Sequence, residues 1–280
     1  MDIFSQHHLE FSLMSQVCIK FIASDMDGTL LDQYGRLDPE FFDLFLQLEE
    51  QGILFSAASG RQYYSLRDTF APIKDRLLYV AENGTLVMYQ DKELYSCTIP
   101  KAEVLEIVKA AREIDGANIV LCGKRSAYIE THDQQSLEEF QKYYHRCEYV
   151  PDLLEVEDEF IKVAICHFDG SEELLFPTMN AKFGATHKVV VSAKIWLDVM
   201  NAEASKGAAI QHLQETMNFT PAETMTFGDY LNDLEMLQVS EHSYAVANAH
   251  EEIKKIARYS APSNQEAGVL KVIKEKVLAK

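Results

Sequence analysis

The sequence predicts an α/β protein with a doubly wound, Rossmann-like core on a parallel sheet, interrupted by an α+β insert. Three observations predict it. Short apolar runs of strand length alternate with helical stretches from residue 17 to 81, and again after residue 195, as strand–helix–strand units whose strands pair in parallel. Several of these runs stop at polar loops carrying Asp, Gly or Ser, and ligands of open α/β sheets bind at the carboxyl ends of strands. Between about 99 and 191, short strands mix with two or three helices, as in an antiparallel α+β unit.

The first run, Val17, Ile19, Phe21, Ile22 and Ala23, reads as a buried strand that ends in Asp25, Asp27, Gly28 and Thr29. Positions i and i+2 of a strand share a side, so the two carboxylates can converge. Such a pair repels unless a cation neutralises it, and an oxygen-rich site of this kind suits Mg²⁺ with substrate phosphate completing its shell. The same pair can divide a two-step reaction, one Asp attacking phosphorus and the other handling protons. Asp38-Pro39-Glu40 opens a helix with Asp as N-cap, Phe41 to Leu48 give its apolar face, and Gly52 ends it. Ile53 to Ala58 is the second strand, closing on Ser59-Gly60-Arg61, where a hydroxyl and backbone N–H groups are good phosphate donors.

A helix from Gln62 to Phe70 and a strand at Leu77 to Ala81 follow. Glu82-Asn83-Gly84-Thr85 then turns into a hairpin, Asn-Gly supplying positive φ, and Asn83 is given no catalytic role. The insert places helices at Glu103–Ile114, Ser136–Tyr144 and 172–183, and strands at Asn118–Leu121, Ala127–Glu130, Phe160–His167 and Lys188–Val191. Arg125, His132, His145, Arg146 and His167 lack metal-ligand spacing, and Phe140, Tyr143 and Tyr144 read as core. Ile195 to Met200 is expected to re-enter the first domain. Lys206 starts a helix to Met217, where an ammonium would offset clustered carboxylates and phosphate. Thr224 to Phe227 is a strand ending in Gly228-Asp229, so Asp229 can complete a Mg²⁺ shell. Asn232 and Asp233 lie on the next turn, where one can donate to phosphate and the other can orient the metal ligands. Tyr244 to Ala249 is a further strand, and Asn264 to Val269 leads into a last helix.

Composition bounds the function. A chain of 280 residues with 47% hydrophobic and 25% charged residues reads as globular. Its formal net charge of −18 offers no basic face to nucleic acid or an anionic membrane. Five scattered cysteines without CxxC spacing point to reduced thiols in a cytoplasm, and no apolar run approaches a membrane span. Residues 1–15, with a solvated His7–His8 pair and no cationic n-region, read as an extension rather than a secretory signal.

DMDGT resembles the DxDGT signature of the haloacid dehalogenase superfamily, most of whose members are Mg²⁺-dependent phosphotransferases. SGR, SKG and GDYLND are similar to its second, third and fourth motifs and occur in the same order; ENG resembles the Cof-like subgroup, or subclass IIB. The resemblance implies a core over 16–96 and 193–280, and a C2-type cap over 97–192. It implies Asp25 as nucleophile and Asp27 as general acid and base. Mg²⁺ would be held by Asp25, the Asp27 carbonyl and Asp229, with Asp233 behind them. Ser59, the Gly60 amide, Lys206 and Asn232 would grip the phosphoryl group of a small phosphorylated metabolite, a sugar phosphate or a phosphorylated cofactor. No obligate protein partner is implied. The alternatives are a phosphosugar mutase on the same scaffold and a non-catalytic sensor of a phosphorylated ligand; a haloacid dehalogenase proper would lack an Asp at position 27.

Overall fold

The computed structural model describes residues 18–279, so the expected 1–15 extension and its His7–His8 pair lie outside the described residues. Five strands come first: β1 (Phe21–Asp25), β2 (Leu54–Ala58), β3 (Leu78–Ala81), β4 (Leu86–Tyr89) and β5 (Lys92–Ser96). Six more follow in the insert: β6 (Asn118–Gly123), β7 (Ala127–Ile129), β8 (Cys147–Tyr149), β9 (Phe160–Cys166), β10 (His187–Ala193) and β11 (Trp196–Asn201). Three end the series: β12 (Thr224–Gly228), β13 (His242–Val246) and β14 (Tyr259–Ala261).

They form two sheets, of order β14-β13-β12-β1-β2-β3-β4-β5 and β10-β11-β9-β6-β7-β8. From β14 to β3 every pairing is parallel, and β4 and β5 add an antiparallel edge. The chain steps outward from β1 through β2 to β3 on one side, and from β12 through β13 to β14 on the other. The strand order therefore reverses at β1, which is where a crevice opens beyond the carboxyl ends of the strands. The second sheet is antiparallel except for the β7–β8 pair.

The first sheet is buried because its central strands are apolar on both faces, as covered parallel strands must be. Phe21, Ile22 and Ala23 are inaccessible, and Phe41, Leu44 and Leu48 of helix Glu40–Glu50 close one side. Asp38 accepts the Glu40 amide at 2.9 Å, so the expected capping is present although the helix begins one residue beyond Pro39. In the insert, helix Lys101–Arg112 lays Val104, Ile107, Val108 and Ala111 against the second sheet.

One expectation is corrected. The stretch 195–200 does not re-enter the first sheet: β11 lies inside the second, between β10 and β9. The return therefore comes after Asn201 rather than at 193. A two-residue turn joins β10 to β11, so local hairpin pairing decides where the strand goes. The three-residue strands β8 and β14 are too short to show a period in sequence.

Candidate active site

Three loops at the carboxyl ends of adjacent strands build the site. Asp25 is the last residue of β1, Ser59 follows β2, and Asp229 follows β12. Asp27 is not on the strand; it sits in the turn Met26–Leu30, so strand periodicity is not what brings the two carboxylates to one cavity. Gly28 makes the turn with φ +85°, and a Cβ there would lie 2.3 Å from Asp229 Oδ2, so only glycine lets the loop press on that carboxylate. Asn248 Nδ2 donates to the Gly28 carbonyl at 2.7 Å, and Asn264 Nδ2 to that of Leu31 at 2.9 Å. Thr29 Oγ1 donates to Asp229 Oδ1 at 3.0 Å.

Lys206 is fully buried beneath the carboxylates. Ser205 caps its helix by accepting the Ala208 amide at 3.0 Å, which sets Lys206 in the first turn. Its Nζ donates to Asp25 Oδ1 at 2.5 Å and to Asp233 Oδ1 at 2.7 Å. Asp233 Oδ2 accepts the backbone amides of Asp229 (2.9 Å) and Tyr230 (3.2 Å), so both its oxygens are committed. Asp25 Oδ2, by contrast, is buried without a hydrogen-bond partner among the described residues.

The site is short of positive charge. Burial, and then the Asp233 charge, push the Asp25 carboxyl well above its usual range against the pull of Lys206. Burial and Asp233 likewise push Asp229 up to about 6. Burial opposes the charge on Lys206, but Asp233 and Asp25 outweigh it and raise its pKa. Ligand oxygens of Asp25, Asp229 and Asp233 all lie within 4.8 Å of one another. An oxygen-only cluster with one unpartnered oxygen and a deficit of charge fits a hard divalent cation. Asp25 and Asp229 have the donor capacity to hold it; Asp233 is occupied with orienting them.

Ser59, buried, accepts the Arg61 amide on Oγ at 3.1 Å, leaving its hydroxyl hydrogen free to donate. Ser59, Gly60 and Asn232 line one cavity of about 640 Å³ together with Asp25, Asp27 and Asp229. The structure thus brings together the whole expected set, with Lys206 below the floor.

Other residues of the cavity escape the sequence reading. Arg61 grips Asp27 with two hydrogen bonds, Nε to Oδ2 at 2.7 Å and Nη2 to Oδ1 at 2.5 Å. Asn83, read only as a turn residue, lines the cavity and accepts Asn232 Nδ2 on Oδ1 at 3.1 Å. Tyr143 and Tyr144, read as core, face the cavity from the insert beside Trp196. Lys162 and Asp198 reach it from β9 and β11. For these two a signal existed: a lone charge in a strand that is otherwise apolar must find a buried partner.

The sequence model of haloacid dehalogenase-like hydrolases matches residues 22–273. The chain belongs to that family. As expected from its four motifs, this hydrolase is a phosphatase of the Cof-like branch. It is 34% identical over 265 residues to the 5-amino-6-(5-phospho-D-ribitylamino)uracil phosphatase YbjI of Escherichia coli K12, covering 93% of this chain and 96% of that one. It is 27% identical over 243 residues to the HMP-PP phosphatase of Serratia proteamaculans, covering 85% and 87%. Among solved structures, SMU.1108c of Streptococcus mutans UA159 superposes with TM-score 0.84 at 29% identity, covering 93% of this chain and all of that one. The subclass IIB sugar phosphatase BT4131 shares the fold with TM-score 0.76 at 21% identity, over 91% and 98% of the two chains.

Proposed function

We propose that this hydrolase removes phosphate from small phosphomonoesters, sugar phosphates or phosphorylated cofactors, in a Mg²⁺-dependent reaction through an aspartyl-phosphate on Asp25. The observation that carries the reading is the state of Asp25: buried, one oxygen fixed by Lys206 and the other unpartnered beside Asp229. A carboxylate so fixed is oriented for attack.

In the first step an Asp25 oxygen bonds to phosphorus as the ester P–O bond breaks, and Asp27 gives its proton to the departing alkoxide. In the second, Asp27 takes a proton from water, whose oxygen displaces the Asp25 carboxylate from phosphorus and releases inorganic phosphate. Ser59, the Gly60 amide and Asn232 hold the phosphoryl oxygens, and Lys206, below the floor, offsets their charge through Asp25. The carboxylates of Asp25 and Asp229 and the carbonyl of Asp27 would hold Mg²⁺, which when bound supplies charge to offset that of the phosphoryl group. In this structure Arg61 engages both oxygens of Asp27, so Asp27 carries the proton only once an oxygen leaves that pair. The 97–192 region, extended to Asn201, acts as the cap that selects the leaving group. All five cysteines are free, which supports a cytoplasmic setting.

Phosphate release from a panel of such esters, with Mg²⁺ and with EDTA, tests the reading. Asp25→Asn is expected to lose turnover by orders of magnitude; retained activity would sink the covalent route. Isomerised sugar phosphate in place of free phosphate would point to a mutase instead.

A further inference from the structure

Outside the reacting groups the molecule buries a second charged cluster. Lys162, in the middle of β9, has a side chain 3% exposed; it meets Glu82 Oε2 at 2.6 Å and Asp198 Oδ2 at 3.6 Å, and those side chains are 2% and 5% exposed. Buried ion pairs add little net stability relative to apolar packing, so a cluster placed here calls for another role.

Its connections supply one. Glu82, Asn83 and Gly84 form a turn with φ of +49°, +58° and +88°; Asn and Gly tolerate the left-handed region, but for Glu82 it is costly. The Glu82 amide donates to the Arg61 carbonyl at 3.1 Å and the Asn83 amide to that of Ser59 at 2.9 Å, stitching the turn to the Ser59–Arg61 loop. Lys162 Nζ also donates to the Gly60 carbonyl at 3.5 Å. Asn83 Nδ2 donates to Asp198 Oδ2 at 3.5 Å, while Asn83 Oδ1 accepts Asn232 Nδ2. Without Lys162, a buried Glu82 carboxylate on a strained turn would have every reason to swing to water, taking Asn83 with it.

We propose that Lys162, held between Asp198 and Glu82, is a positioning residue by which the insert fixes the phosphate-binding side of the site: the Ser59–Arg61 loop, Asn83, and through Asn83 the amide of Asn232. The proposal rests on the reading that Ser59, Gly60 and Asn232 bind the phosphoryl group. It acts from the second sheet on the first, so the phosphate site is complete only with the insert seated.

Asp198→Asn is nearly isosteric and leaves Lys162 paired with Glu82; Lys162→Met removes the cation. Each is measured by calorimetric titration with inorganic phosphate in Mg²⁺, by kcat and KM on p-nitrophenyl phosphate, and by thermal melting. Phosphate affinity and kcat are expected to fall roughly 10-fold or more in both, with the melting temperature of Asp198→Asn near that of the parent. Where Lys162→Met folds poorly, adding Glu82→Gln removes the orphaned carboxylate and is expected to restore melting but not phosphate affinity. Unchanged phosphate affinity in folded Asp198→Asn overturns the proposal, as does recovery of both properties in the double variant. A change confined to KM also overturns it, by making Lys162 and Asp198 leaving-group contacts. A parent protein that binds phosphate without turning over the ester counts against the hydrolytic reading, and the titration still decides the positioning role.

Discussion

Lys206→Met keeps the buried stem and removes the ammonium that Asp25 and Asp233 share. Both carboxylates are then left in a site where, among the described residues, neither has another cation within hydrogen-bond reach. Breaking a buried ion pair from one side costs about 3–5 kcal/mol, because the remaining charge is uncompensated. For a chain of this size each kcal/mol moves the melting temperature by roughly 2–4 °C, so a drop on the order of 10 °C is expected in EDTA. Saturating Mg²⁺ should return part of it, because a cation bound only by the folded state stabilises by mass action. Turnover should fall about 10²–10³-fold, the usual loss when one charge-stabilising group leaves a reaction site. The assay is a melt followed by circular dichroism in EDTA and in Mg²⁺, paired with phosphate release. A melting temperature within a degree or two of the parent, in EDTA at neutral pH, would refute the claim that Lys206 neutralises buried carboxylates.

Three further outcomes follow from the geometry. Asp229 titrates at about 6 against an ordinary 3.8, so the metal-free folded state binds more protons than the unfolded state in that window. Stability in EDTA should therefore fall as pH rises from about 4 through 6, with the raised Asp25 carboxyl extending the decline upward, and Mg²⁺ should flatten it; a flat EDTA profile would contradict the charge deficit. Gly28→Ala, forced against Asp229 in a left-handed conformation, should weaken Mg²⁺ binding by about 10-fold or more in a Mg²⁺ titration, and parental affinity would show that the loop does not press on that carboxylate. Gln62 accepts the Arg146 amide at 2.9 Å and donates to its carbonyl at 2.8 Å, so Gln62→Ala should cost about 1–3 kcal/mol and speed exchange of the Arg146 amide; unchanged exchange would remove this bridge between the sheets.

What the sequence disclosed followed physical locality. Asp25, Ser59, Lys206 and Asp229 each sit where a strand ends or a helix begins, and those boundaries are written in a few neighbouring residues. Local patterns also announce the Asp-Gly turn, although they place Asp27 on the strand rather than in the turn. The partnership of Arg61 with Asp27 spans 34 residues, and that of Asn83 with Asn232 spans 149, so neither has a local signature. Lys162 is the instructive omission: within FIKVAIC it breaks the apolar run, and its burial follows from the strand's position between two others. The second boundary of the insert failed for a related reason. The strand at Trp196 is apolar enough for either sheet, and only the tight turn before it gives β10 first claim on it.

The position of β1 also governs how the chain must be made. Its neighbours are β2, which pairs Phe21 with Leu54, and β12, which pairs Phe21 with Thr224. Thr29 and Asp229 lie 200 residues apart in the chain and in one hydrogen bond in the fold. At about 5–20 residues per second, the ribosome takes roughly 10–40 s to supply that second neighbour. Until then the nascent protein carries an apolar strand with one edge unpaired, while the six strands of the insert, contiguous in sequence, have all their partners once Asn201 is made, before β12. The insert can thus complete its own sheet before β12 is made, and the first sheet is the last to gain all its strands.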